Sequence, residues 1–194
     1  MERDKKRGAN RARRESSRHV FTGRVFEVVV DRVRLPHGAI VEMEVVRHGA
    51  SVVLIPIDAD GRILLVRQYR YAVDRWLWEL PAGGVETDEA PEEAAAREAA
   101  EEIGLRPGTI ARLGAFYPTP GFCDETMLFF ELRNLRPPGQ GDPGVHLDED
   151  EDLEVRAFTE EEIRALIARG EIQDMKTVVG LTLIEDRSVS KAGG

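Results

Sequence analysis

The chain has 194 residues, 42% of them apolar, and a net charge of −9. That is enough apolar material for one packed domain and excludes global disorder. A single cysteine, Cys123, cannot make an internal disulfide, no Cys and His set has zinc spacing, and the longest apolar stretch, Val52–Ile57, is far too short to cross a bilayer. No signal segment opens the chain, so a soluble protein of a reducing, cytoplasmic compartment without membrane association is expected.

The charge is uneven. Residues 1–19 hold eight Lys/Arg against Glu2, Asp4 and Glu15, a net +5, which leaves −14 for the rest. With almost nothing apolar to bury, 1–19 reads as a disordered basic tail. Such tails attract phosphate backbones without sequence preference, but the acidic body argues against a specific nucleic-acid ligand. A phosphate substrate would reach that body with a divalent cation screening its charge.

Residues 20–48 read as an N-terminal β segment, with "VFEVVVDRVRL", a turn at Pro36-His37-Gly38, and "IVEMEVVR". The main domain is placed at 49–187. It opens with "SVVLIPI", then a hairpin turn at Asp58-Ala59-Asp60-Gly61 leads into "RILLVRQYRY". A short strand "WLWEL" precedes the loop "PAGGVETDE", and an alanine-rich helix runs to Ile103, where Gly104 is a natural stop. Strands follow at "TIARLGAFY" and "TMLFFEL", separated by the loop "PTPGFCDE". The Pro/Gly/Asp stretch "RPPGQGDPGVHLDEDED" is a long loop before a last strand "LEVRAF". Thr159 and Glu162 form a capping box for one helix, and "DMKTVVGLTLIEDR" supplies another. Residues 188–194 read as a flexible C-terminus. Mixed strands with few helices indicate an α+β fold or an α/β/α sandwich.

The alanine-rich helix carries the chemistry. At 100° per residue, Glu102 lies about 40° from Glu98 and Glu101 about 60° to its other side, so three carboxylates share one arc. Ala95, Ala99 and Ile103 form a narrow apolar stripe beside them. Like charges at these spacings repel and no Lys relieves them, whereas a divalent cation would; Mg²⁺ takes one or two carboxylates plus waters and phosphate oxygens. Arg97, just off the arc, is placed to hold a neighbouring glutamate. Glutamate-rich helices are common, and the grouping alone is equally a solvated face.

The spacing is more specific. Gly83, Glu89, Arg97-Glu98-Ala99, Glu101-Glu102, Gly104 and Leu105 resemble the Nudix box, G-x5-E-x7-R-E-U-x-E-E-x-G-U, at all seven fixed positions. Ala99 is small where the first aliphatic residue U is usual. The resemblance extends from about Ala50 to Arg187, and more loosely from Val20. It implies a Nudix-type α/β/α sandwich with a mixed sheet and an N-terminal antiparallel β extension. It also implies Glu98 and Glu102 as principal metal ligands, completed by Glu101 and the Ala82 carbonyl, with Mg²⁺ as the cation and Mn²⁺ as a possible substitute.

Three further stretches resemble ADP-ribose pyrophosphatases within that family: "WELPAGGVE"; "TPGFCDE", with Pro120 fifteen residues beyond Leu105; and the acidic "DEDEDLEV" from Asp148 to Val155. That resemblance implies hydrolysis of ADP-ribose or a related ADP-sugar to AMP and a sugar phosphate. It places the general base at Glu149, with Glu151 next in line, and Arg70 on the substrate's phosphates. Pro120 and Gly121 fall in the substrate loop, Glu125 on the terminal ribose hydroxyls, and Phe26 is a candidate to stack on adenine. It further implies a homodimer paired through the N-terminal strands. A surface ion pair for Arg70 and a packing role for Phe26 stay open, as does a solvated turn for the acidic loop. Trp76 and Trp78 read as packing, and His19, His37, His48 and His146 show no triad or metal spacing. The alternatives are a pyrophosphatase of nucleoside triphosphates or dinucleoside polyphosphates, and a sensor that binds ADP-ribose without cleaving it; the box has lost none of its carboxylates.

Overall fold

The computed structural model describes residues 11–139 and 153–192. The chain divides into two compact units, the first from Met1–Gly49 and Tyr117–Thr126, the second from Ala50–Phe116 and Met127–Gly194.

The first unit is a three-stranded antiparallel sheet in the order β1 (Arg13–Thr22), β2 (Phe26–Arg34), β3 (Ile40–His48). The turn between β2 and β3 falls on Pro36-His37-Gly38; Leu35 N–H donates to Ala39 O at 2.8 Å and Gly38 takes φ +94°, which a glycine adopts without strain. β1 corrects the reading of 1–19 as a disordered tail, because it begins at Arg13. All of its residues are exposed, so burial played no part in its signature. Its support is the backbone ladder to β2 and cross-strand charge, with Glu15 between Arg34 (2.6 Å) and Arg32 (3.4 Å). Of the charges within 1–19, Glu15 pairs with arginines of β2.

The loop Tyr117–Thr126 belongs to this unit because it is stitched to β3. Val46 N–H donates to Phe122 O at 2.8 Å, and Asp124 N–H returns to Val46 O at 3.2 Å. Asp124 also accepts from His48 N–H (2.8 Å) and from Arg47 (2.8 Å), whose other nitrogen reaches the buried Asp31 at 2.5 Å.

In the second unit, β4 (Ser51–Pro56) and β9 (Met127–Arg133) run parallel at the centre of a mixed sheet, β7-β4-β9-β8, with β7 at Ala82–Gly84 and β8 at Thr109–Phe116. A second, antiparallel sheet has the order β10 (Glu154–Phe158), β5 (Ile63–Arg70), β6 (Arg75–Glu79). The strand β7 lies inside the stretch expected as an uninterrupted loop; it is three residues long and contains two glycines, too little for a periodic signal.

β4 is buried along its whole length, as its unbroken apolar run requires. Its residues alternate between two cores. Val53 and Ile55 pack with Leu65, Leu80, Phe129, Ile163 and Leu181, whereas Val52 and Leu54 pack with Val66, Ala95, Ala99, Phe130 and Leu132. The first core is closed by α2 (Glu160–Ala168) and α3 (Met175–Ala192), and the second by α1 (Pro91–Ile103). The result is the expected α/β/α layering, with the alanine stripe of α1 turned inward: Ala94, Ala95 and Ala99 are fully buried.

The helix ends follow their chemistry. Pro91 opens α1, Glu93 accepts the Ala90 N–H at 3.1 Å, and Gly104 closes the helix at φ +68°. Thr159 and Glu162 cap α2 reciprocally, at 3.2 and 2.8 Å. Among the described residues no helix is long and apolar enough to cross a membrane.

Candidate active site

The site is built where β7 meets α1. β7 is held beside β4 by the pairs Val53↔Ala82 and Val52↔Gly83, flanked by Leu54 N–H to Pro81 O (2.8 Å) and Val85 N–H to Ala50 O (2.9 Å). This fixes the backbone of 81–85 against the helix. Gly83 lies directly on the carboxylate of Glu98: a Cβ there would fall inside that group. Glycine is therefore required by close approach at this position, although its backbone dihedrals do not demand it.

Arg97 organises the acidic face. Its Nε and Nη2 donate to the two oxygens of Glu89, each at 2.9 Å, a forked pair. Nη1 donates to Glu98 at 2.7 Å and to Glu101 at 2.9 Å, and Nη2 also reaches Gly84 O at 2.8 Å. One guanidinium thus serves three carboxylates and the β7 backbone. Glu102 is buried and accepts the Ala82 N–H at 3.3 Å.

The electrostatics are unbalanced. The Arg97 hydrogen bonds hold the Glu89 carboxyl below its ordinary range. Glu98 shifts upward: burial raises it, the Arg97 contacts oppose, and the charges of Glu101 and Glu89 add to the rise. Arg97 itself is driven above the usual arginine value, first by its hydrogen bonds to Glu89. Glu98 and Glu102 are 9% and 7% exposed, so negative charge has been gathered out of water, with Arg97 on Glu98 and the charge of Arg70 acting on Glu102. Among the described residues no three His, Cys, Asp or Glu side chains converge at ligating distance. The donor set still fits a hard divalent cation: carboxylate oxygens in excess of positive charge, beside a glycine that leaves room for the Glu98 carboxylate.

A second cluster in the same unit surrounds Arg70 with partners that were not foreseen as functional. Arg70, at the end of β5, donates Nε to Glu79 Oε1 at 3.0 Å and Nη2 to Glu79 Oε2 at 2.8 Å. Glu79 is 3% exposed, and the ammonium of Lys176, 7% exposed, closes on the same oxygen. Lys176 also meets Asp174 at 3.2 Å. Burial works against the charge on Glu79, but Arg70 and Lys176 outweigh it and hold the carboxyl below its ordinary value. Arg70 is raised by its Glu79 hydrogen bonds and then by the charges of Glu79, Glu102 and Asp174, which places it in the field of the α1 carboxylates. The ion pair that the sequence left open for Arg70 is present, with the arginine 41% exposed and Glu79 buried. A lysine in the first turn of a helix, where the dipole disfavours a cation, was the available signal for Lys176.

The remaining candidates separate. Pro120, Gly121 and Glu125 lie in the loop of the first unit, as does Phe26 on β2, which is 41% exposed and tilted against Phe21 with ring centres 6.1 Å apart. Trp78 packs edge-on against Phe158 at 5.0 Å, as read. Trp76 is 46% exposed and packs against Tyr69, ring centres 5.8 Å apart, with the Arg67 guanidinium 5.4 Å from its ring centre. Glu149 and Glu151 lie outside the described residues.

The model of the NUDIX domain matches residues 47–178. The chain belongs to the Nudix family. Among curated relatives of this Nudix hydrolase, the ADP-ribose pyrophosphatase of Bacillus subtilis is 33% identical, over 89% of this chain and 92% of its own. The ADP-ribose pyrophosphatase of Mycobacterium tuberculosis is 36% identical, over 87% and 81%. A methanol dehydrogenase activator from Bacillus methanolicus is 34% identical, over 86% and 88%. The fold matches a crystal structure of an ADP compounds hydrolase with a TM-score of 0.81 at 20% identity, covering 93% of this chain and 96% of that one.

Replacing Gly83 by Ala tests the close approach. The added methyl displaces Glu98, so Gly83→Ala raises the Mg²⁺ concentration for half-maximal activity by about 10- to 100-fold while the melting temperature changes little. An unchanged Mg²⁺ requirement would show that Glu98 has no part in metal binding.

Proposed function

We propose that this Nudix hydrolase cleaves the diphosphate of ADP-ribose or a related ADP-sugar, giving AMP and a sugar phosphate. The observation that carries the reading is the set of carboxylates gathered by Arg97 against Gly83, in a chain one-third identical over most of its length to proteins named ADP-ribose pyrophosphatase.

Glu98 and Glu102, with Glu101 and the Ala82 carbonyl, would hold Mg²⁺, or Mn²⁺ in its place. A bound divalent ion supplies neutralisation of the diphosphate oxygens and a lowered pKa for a coordinated water. Arg97 keeps the carboxylates oriented in advance, so little rearrangement is needed when the substrate binds. Arg70 presents a planar donor set of the kind that pairs with phosphate oxygens. Glu149, with Glu151 as the second choice, is proposed as the base that takes the proton of the attacking water, and Glu125 as the acceptor for ribose hydroxyls. Pro120 and Gly121 are proposed to shape the loop around that sugar, and Phe26 to stack on adenine.

The test is product analysis under Mg²⁺ with a panel of ADP-sugars, NADH, diadenosine polyphosphates and nucleoside triphosphates. AMP and a sugar phosphate from an ADP-sugar at the highest kcat/KM is the expected result; preferred release of pyrophosphate from a triphosphate overturns the substrate assignment. Glu98→Gln and Glu102→Gln each lower turnover by orders of magnitude with the fold intact, and near-native turnover in either at saturating Mg²⁺ contradicts the ligand assignment.

A homodimer is part of the same proposal. Its support is a sheet of three strands that the layered unit does not use, carrying exposed Val20, Phe21, Phe26 and Met43. Light scattering is expected to return twice the 21.7 kDa chain mass; a monomer at micromolar concentration removes the dimer.

A further inference from the structure

Lys176 is a buried cation in the first turn of α3, a place where both desolvation and the helix dipole oppose it. Its compensation is local. The ammonium binds Glu79 and Asp174, while Asp174 in turn accepts from Thr177 N–H at 2.9 Å and from Thr177 Oγ1 at 2.6 Å. The same Thr177 Oγ1 accepts the Leu80 N–H at 2.9 Å. Three residues of one helix start therefore grip two consecutive residues, Glu79 and Leu80, that lead through Pro81 into Ala82 and the metal-binding backbone. Across the helix, Gly180 lies so close to Leu80 that a Cβ there would meet its side chain, and the grip has little slack.

The Glu79 carboxylate is shared. Arg70 takes both of its oxygens with Nε and Nη2, and Lys176 takes one of them from the other side. A buried carboxylate with Arg70 as its sole partner would orient the guanidinium but also cancel its charge. With Lys176 present two cations face two carboxylates, Glu79 and Asp174, and Thr177 further satisfies Asp174, so Arg70 is oriented with more of its positive charge effective toward a ligand than Glu79 alone would leave.

We propose that Lys176 is a positioning residue for phosphate recognition, neutralising Glu79 so that the Arg70 guanidinium is held in place with its charge available to a diphosphate. The inference rests on the proposed function in its use of Arg70 as a phosphate donor. It adds the device that makes a forked, partly buried arginine useful for that purpose.

Calorimetric titration of inorganic pyrophosphate with Mg²⁺ into the full-length protein reads the effect without turnover. Lys176→Met is expected to weaken pyrophosphate binding about tenfold, and to raise KM for ADP-ribose with kcat nearly kept. The double variant Lys176→Met/Glu79→Gln removes both charges and keeps a carbonyl acceptor for Arg70, so binding returns toward the wild-type value. Lys176→Gln carries the same charge loss and replaces the methionine variant should that fail to fold, as judged by its melting curve. Unchanged binding in Lys176→Met, or loss that the double variant does not restore, overturns the inference while Arg70→Ala still weakens binding and leaves the proposed function standing. Wild-type binding in Arg70→Ala takes the arginine out of the proposed function and overturns the inference with it.

Discussion

The structure of the site depends on one guanidinium. Arg97 binds Glu89, Glu98, Glu101 and the Gly84 carbonyl, and so ties the acidic face of α1 to the glycine-rich strand β7. Without it, carboxylates at one-turn spacing on a helix would turn away from one another into water. With it they stay together and part-buried. A divalent cation is proposed to answer the remaining negative charge, and burial raises the Glu98 carboxyl above its ordinary value.

The layering of the second unit serves this arrangement. Small residues at 94, 95 and 99 let α1 approach β4 closely, and β4 pairs with β7, so helix, central strand and glycine strand form one rigid corner. At the end of β6, in the other sheet, α3 grips Glu79 and Leu80 and through them the approach to Ala82. The two ends of the segment 79–85 are thus held from opposite layers. Arg70 lies in the field of both Glu79 and Glu102, so the cluster on β5 and β6 and the carboxylates of α1 are electrostatically one system.

Much of this was legible in the sequence because the features are local. The box has fixed spacings within 23 residues, the caps at Thr159 and Gly104 are short-range, and β4 announces itself by an unbroken apolar run. The misses have a common cause in partners that lie far apart along the chain or bury nothing. Lys176 and Glu79 are 97 residues apart, and neither has a spacing that names the other. β1 has no buried residue, and its charges pair only after it has been laid beside β2, so composition reads it as tail. Glu149 and Glu151 lie outside the described residues, and their role rests on resemblance.

The central claim is that the carboxylates of α1 form a divalent-cation site. Titration of Mn²⁺, followed by the loss of its free-ion electron paramagnetic resonance signal, reads that property directly and without turnover. Saturable binding in the wild-type chain, competed by Mg²⁺ and abolished in the double variant Glu98→Gln/Glu102→Gln, is the predicted result. Equal Mn²⁺ binding by the wild-type and doubly substituted chains would contradict it.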